Sequence, residues 1–320
     1  MEIFLFILLH NILPIFLIIL VGFIMGKKFK LDVKTLSKLN FYVFIPSFVF
    51  TNIYESKTPI KMINVVFIVA LLFLWNLIIP FIICKIRKQD KDFIGAFTNS
   101  IALFNSGNIG FTLITLVFSS APFVIDGKTP YLSFALTCQI MIMAFQTTMS
   151  NSIGFINAGK AQTNLKTSII RVLKMPAIYA IVLAFVLKLI PYNLEQIPLW
   201  PSFTYMGDAL IPVSLISLGV QLTKTKFKFA NPDVYISNLF RLLISPFIAG
   251  VLVFIFGIHG IMAEVLIIGT AAPTATNAAL IAVEYDNHPD FASQTVLTSV
   301  IFSAITLVFV IYLARILFPI

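Results

Sequence analysis

Thr98–Ser120 reads TNSIALFNSGNIGFTLITLVFSS, and the fold turns on its middle. The stretch is apolar enough to cross a membrane, yet it carries Asn105, Ser106, Gly107, Asn108 and Gly110 together. A continuous transmembrane helix gains nothing from such a cluster. Glycine lowers the cost of leaving helical geometry, and amides and hydroxyls can satisfy the backbone groups that a break sets free. A second stretch, Ile267–Tyr285 (IIGTAAPTATNAALIAVEY), repeats the pattern with Thr270, Pro273, Thr274, Thr276 and Asn277. Two interrupted hydrophobic segments in matching positions of two halves mark a solute-binding site in membrane proteins built from internal repeats.

Composition supports a membrane setting. The chain is 59% hydrophobic and 11% charged, where soluble domains sit near 45–50% and about 25%. A net charge of +9 would suggest nucleic acid in a soluble protein; here it reads as loop charge that sets topology, and no nucleic-acid partner is expected. Cys84 and Cys138 fall in apolar segments and read as inert packing residues. The first apolar run, 3–25, lacks a basic leader and is followed directly by Lys27 and Lys28, so it reads as a retained span.

About 20 apolar residues cross a bilayer core. Such runs predict ten spans, at 4–26, 35–54, 62–84, 93–119, 131–156, 168–190, 202–222, 235–256, 261–284 and 292–317. Alternate connectors hold most of the basic residues: Lys27, Lys28, Lys30, Lys34 and Lys38; Lys85, Arg87, Lys88 and Lys91; Lys160, Lys166, Arg171 and Lys174; Lys224, Lys226, Lys228 and Arg241. The other side has Lys57, Lys61, Lys128, Lys188 and Arg315. The positive-inside rule places the rich connectors in the cytoplasm and both termini outside the cell membrane.

The halves look related. Ile45-Pro46 and Ile211-Pro212 stand 166 residues apart, as do Pro80 and Pro246. Asn108 and Asn277 are 169 apart, and Leu136-Thr137 and Leu297-Thr298 are 161 apart. Five spans per half is odd, so the second repeat enters the membrane upside down. The expected organisation is a first repeat over 1–156, a cytoplasmic connector over 157–167 and a second repeat over 168–320.

Several ordered segments resemble the auxin efflux carrier family, which includes plant auxin exporters and bacterial malate- and malonate-permease-like proteins. LNFYVFIPSFVFTNI in the second span is similar to its Leu-Asn…Pro segment, and FNSGNIGFTL to its Asn-Thr-Gly segment. GDALIPVSLISLGVQL resembles the seventh span, and AAPTATNAALIAVEY the ninth. The resemblance implies an all-α membrane fold of ten helices related to bile-acid and sodium/proton carriers. In it, broken helices 4 and 9 cross in a transport domain that moves against a scaffold, and members carry organic anions, with a homodimer suggested. One departure is Thr112, where the family often has proline, so Gly107 and Gly110 are left to carry the break.

Each broken helix would expose unsatisfied N–H groups and about half a positive charge at the start of its second half. Two such ends attract a carboxylate without a buried lysine. Asn105 and Asn277 are the expected side-chain donors, with Ser106, Gly107, Asn108, Pro273, Thr274 and Thr276 around them. Ser, Thr and Asn in such positions also serve simply to cap backbone or bridge helices.

Asp208 stands about 9 Å inside the seventh span at 1.5 Å per residue. As an intramembrane acid it is the candidate for coupling to sodium or protons. Pro46, Gly110 and Pro212 are expected helix-break points. Arg241 is expected to snorkel to the cytoplasmic surface. Glu264, Glu284, Asp286 and Asp290 fall near span ends and read as solvated. Gly22 and Gly26 read as a close-packing pair. No cofactor is expected beyond a coupling ion. The three histidines are scattered and no phosphate-binding loop or nucleotide fingerprint occurs, which argues against an enzyme. A sodium/proton antiporter is the nearer alternative, but the interrupted segments offer amides and hydroxyls rather than paired carboxylates.

Overall fold

The computed structural model describes residues 2–56, 63–158, 170, 173–224 and 231–319. The expected connector 157–167 from residue 159 on, the start of the sixth span, and Lys57, Lys61, Lys160, Lys166, Arg171, Lys226 and Lys228 lie outside the described residues. Among those described, every regular element is a helix. Six helices are long and apolar enough to cross a membrane: α1 (Glu2–Phe29), α3 (Ile63–Ile86), α6 (Leu132–Asn157), α8 (Trp200–Leu222), α9 (Pro232–Ile255) and α12 (Pro289–Leu317). Between them run α2 (33–55), α4 (Lys91–Ala102), α5 (Asn108–Phe118), α7 (Pro176–Leu187), α10 (Gly260–Thr270) and α11 (Thr276–Glu284).

Local chemistry sets the helix starts. Asp32 caps α2 by accepting from the Lys34 and Thr35 N–H groups at 3.2 and 3.1 Å. Asp90 caps α4 through the Phe93 N–H at 2.7 Å. Asn231 caps α9, and Pro232 follows at the first helical position, where its missing N–H costs nothing.

Three prolines inside the helices are accommodated by widening rather than breaking. Pro14, Pro46 and Pro246 each follow directly on a π-helical turn, over Ile7–Ile12, Asn40–Phe44 and Phe240–Ile244. A proline ring clashes with the carbonyl four residues back, and a wider turn moves that carbonyl aside. Pro46 is therefore not a break: α2 runs through it. At Pro212 the helix lapses for one residue, Ala209, in the turn where the missing N–H would have met the Asp208 carbonyl. Gly110 is not a break either. It lies inside the first turn of α5, its N–H donating to the Asn105 carbonyl at 3.0 Å.

The helices pack as two groups. α1 lies along α8, and α2 against α7 and the first part of α8. The first contact is close because it is glycine-lined: a Cβ on Gly22 would run into the Ile216 carbonyl, and one on Gly219 into the Ile19 carbonyl. The remaining helices, α3 to α6 and α9 to α12, pack mainly on one another. Large apolar side chains face outward, including Leu17, Leu20 and Ile24 on α1 and Phe247 and Phe254 on α9, as a lipid solvent requires.

Candidate functional site

The two interrupted stretches form one structure. Between α4 and α5, and between α10 and α11, the chain runs extended, and the two segments pair antiparallel at Phe104 and Thr274. The Asn105 N–H donates to the Pro273 carbonyl and the Ala275 N–H to the Leu103 carbonyl, each at 2.8 Å. Backbone freed by each break is thus satisfied by the other.

The pairing engages some expected ligands. Thr274 is fully buried; its hydroxyl donates to the Ser100 carbonyl at 2.8 Å and its N–H to Ser299 Oγ at 3.2 Å. Thr274 and Pro273 lie outside the lining of the neighbouring cavity. Both were expected around a ligand; both instead hold the joint together. Their polar atoms are needed to replace helical hydrogen bonds.

Asn105, Ser106, Gly107, Asn108, Thr276 and Asn277 do come together, on the wall of a cavity of about 380 Å³. They sit at the starts of α5 and α11, whose positive ends face that space. Asn105 Oδ1 accepts from the Asn108 and Ile109 N–H groups at 3.1 and 3.5 Å, capping α5. Two backbone donors fix the amide's orientation, so Nδ2 must point away from the helix. That Nδ2 is buried and has no hydrogen-bond partner among the described residues. No side chain caps α11, and a Cβ added to Gly107 would meet nothing within 4 Å. The cavity lies between the two helix groups: α2, α7 and α8 form one wall, and α5, α6 and α11 the other. Among the described residues, Lys38 is the single charged side chain on its lining.

Behind the joint sit residues that sequence reading missed. Arg241 does not snorkel; it is fully buried. Its Nη1 donates to the Ile101 carbonyl at 2.9 Å and its Nη2 to the Thr270 carbonyl, and the guanidinium lies 4.8 Å from the centre of the Phe104 ring. One cation therefore answers the negative ends of both α4 and α10. The signal was present: Ser237, Asn238, Arg241 and Ser245 form a polar stripe at helical spacing, and all four are buried. Gln139 is wedged between α5 and α10. Its Nε2 donates to the Ser106 carbonyl at 2.7 Å, and a Cβ on Gly110 or Gly269 would collide with its amide. Gln146, two turns on, reaches the Ala102 carbonyl at 3.2 Å.

Asp208 is not part of this site. Gly207 is buried against Phe48, and the next residue on a helix turns about 100° away, which leaves Asp208 exposed and off the cavity lining. Glu284, Asp286 and Asp290 are exposed as expected, but Glu264 is only 1% exposed. It lies within α10, which is packed by neighbours on all sides. Among the described residues no group of three or more His, Cys, Asp or Glu could hold a metal ion. Cys84 and Cys138 are both buried and are not joined in a disulfide.

Comparison with known proteins places the chain among membrane transport proteins. The sequence profile of a family described as "Membrane transport protein" matches residues 7–311. An uncharacterized transporter of Methanothermobacter thermautotrophicus is 24% identical over 314 residues, covering 93% of this chain and 95% of the relative. An uncharacterized transporter of Methanocaldococcus jannaschii is 23% identical over 305 residues, covering 92% and 95%. With six helices able to span a bilayer, the chain is a multi-pass membrane protein. It belongs to the membrane transport protein family, that of the auxin efflux carriers, and is a transporter rather than an enzyme.

Proposed function

We propose that the protein is a secondary carrier of small organic anions and binds the substrate carboxylate where the two broken helices meet. The observation that carries this reading is the Asn105 amide: a buried N–H donor with no partner among the described residues, on a cavity that receives the starts of two helices. Such a place favours an anion held by amides and dipoles. Among the described residues the cavity lining bears no carboxylate, which disfavours an ion-only antiporter working at the same point.

In this reading α4 with α5, and α10 with α11, each count as one interrupted span. Ten spans then form two inverted repeats of five. The group α1, α2, α7 and α8 acts as scaffold, and the other group carries the substrate past it. The cavity between the groups reaches Lys38 on the α2 segment that follows Lys27 and Lys28. By the positive-inside rule that end is cytoplasmic, which makes this an inward-open state in the cell membrane, with both termini outside.

Solute counterflow in proteoliposomes tests the reading. Liposomes loaded with malate, malonate, acetate or an indole acid are given traced acid outside. Trapping of label by wild type, with at least tenfold loss in Asn105→Ala, is the expected result. Absence of exchange with every acid would overturn it.

A further inference from the structure

Glu264 is an acid placed inside the bundle, away from the substrate cavity. It sits six residues before the end of α10 at Thr270, about 9 Å at 1.5 Å per residue. The cavity lies beyond the other end of the break, at the start of α11, so Glu264 is on the closed side of the joint. It is 1% exposed, and its Oε2 is buried without a hydrogen-bond partner among the described residues. On α12, Arg315 Nε and Nη2 are likewise buried without partners, while its guanidinium lies 5.2 Å from the centre of the Phe123 ring.

The helices packed against α10 bring few other charges. The Ser245–Ile255 part of α9 and all of α5 have no titratable side chain; α6 has Cys138; α3 has Cys84 and Lys85; α12 has Asp290, Tyr312 and Arg315. Of these, Arg315 is the one that acts electrostatically on Glu264. A buried carboxylate with an unmatched oxygen is costly unless its charge is balanced or removed. A neighbouring guanidinium balances the charge but repels a metal cation. A proton removes the charge. Orphaned polar atoms in the interior of a native protein mark places where something binds or moves.

We propose that Glu264 is a proton-binding site that couples this carrier to a proton gradient. The proposal rests on the anion-carrier reading above. In one state the ionised carboxylate faces Arg315 across the closed side of the joint. In the other, an O–H bond forms on Glu264 with a proton taken from water on the side to which the site is open, and that bond breaks to release the proton on the opposite side. One proton moves per cycle and nothing is oxidised or reduced. α10 carries the event to the substrate site directly, because its last carbonyl, that of Thr270, is held by Arg241 beneath the paired breaks.

The test uses the full chain in proteoliposomes, with membrane potential clamped and a pH dye inside. The label is whichever of malate, malonate, acetate or an indole acid wild type exchanges. Wild type should accumulate that acid when a pH gradient is imposed and should move protons with it. Glu264→Gln should keep counterflow within about threefold, lose pH-driven accumulation at least tenfold, and exchange at a rate that no longer varies with pH. Should that variant fail to fold, Glu264→Asp, which keeps a carboxyl, together with wild-type dye traces, decides: proton movement in step with substrate supports the proposal. Exchange in wild type with no proton movement, accumulation driven by sodium alone, or unchanged pH-driven accumulation in Glu264→Gln would each overturn it while leaving the carrier reading intact. No counterflow of any acid would instead remove the carrier reading on which the proposal stands.

Discussion

Phe104 and Thr274, 170 residues apart in sequence, face each other as an antiparallel pair where two helices have come apart. The pair replaces helical hydrogen bonds with bonds between the two breaks, and it aims the second half of each helix at the same cavity. The expected effects of substitution follow from which atoms are engaged in that joint and which face the open space.

Asn105 does two things with one amide, and two substitutions separate them. Asn105→Asp keeps the oxygen that caps α5 but replaces the free N–H with a second anionic oxygen. It should keep a wild-type size-exclusion profile but unfold at a lower temperature, because a charge is buried there, and should lose binding of an organic anion at least tenfold. Asn105→Ala loses the cap as well and should also be less stable by about 1 kcal/mol. Equal affinity in wild type and Asn105→Asp would show that the amide does not touch the substrate.

The two glycines of the α4–α5 region should respond oppositely. A methyl on Gly107 enters open space, so Gly107→Ala should leave the unfolding temperature unchanged and raise KM for transport by narrowing the cavity. A methyl on Gly110 strikes the Gln139 amide, so Gly110→Ala should destabilise the protein by about 1–3 kcal/mol as an overpacked core does. Unfolding curves in detergent distinguish the two.

Arg241 is a positioning residue. Arg241→Met leaves the Ile101 and Thr270 carbonyls without their donor and should cost about 1–3 kcal/mol for each carbonyl left unsatisfied. Arg241→Lys keeps the charge but lacks the planar fork that reaches both carbonyls, so it should recover only part of that stability. Full recovery by lysine would mean that charge alone is required.

Asp208 is exposed and remote from the cavity lining. Asp208→Asn should therefore leave transport rate and its dependence on pH or sodium within about twofold of wild type. A loss of coupling in this variant would restore Asp208 to the role its depth in the chain first suggested.

Acid should loosen the start of α4. The Phe93 N–H, with His288 3.5 Å away adding to it, holds the Asp90 carboxyl below its ordinary value of 3.8. A lowered pKa in the folded state contributes stability above the unfolded value and loses it as pH falls through the folded one. Hydrogen exchange at Phe93 and Ile94 should accelerate below about pH 4, as the cap titrates from that ordinary carboxylate range. Asp90→Ala should show fast exchange there at every pH.

The breaks were readable in sequence because Gly, Asn, Pro and Thr have no reason to gather in the middle of an apolar span. The family motifs followed from the same residues. What the letters do not carry is rotation about a helix axis. Asp208 and Gly207 are adjacent, and only packing against Phe48 decides that the glycine faces in and the acid out. Depth misleads in the same way. Arg241 lies about a turn and a half, and Glu264 about a turn, from the end of its predicted span, where a long side chain can reach water, yet both are enclosed by neighbouring helices. Gln139 was invisible for a different reason. Its role depends on gaps left by Gly110 and Gly269, which belong to two helices separated by more than a hundred residues.

The backbone bonds between the breaks have a consequence for energetics across the bilayer. Because Asn105 is tied to Pro273 and Ala275 to Leu103, the starts of α5 and α11 are held to one another through the backbone. In the proposed carrier, the bound anion would travel inside an unchanging shell of donors rather than pass from one set to another. Its intrinsic affinity is then the same facing either side, and the direction of net flow is left to concentration, voltage and pH.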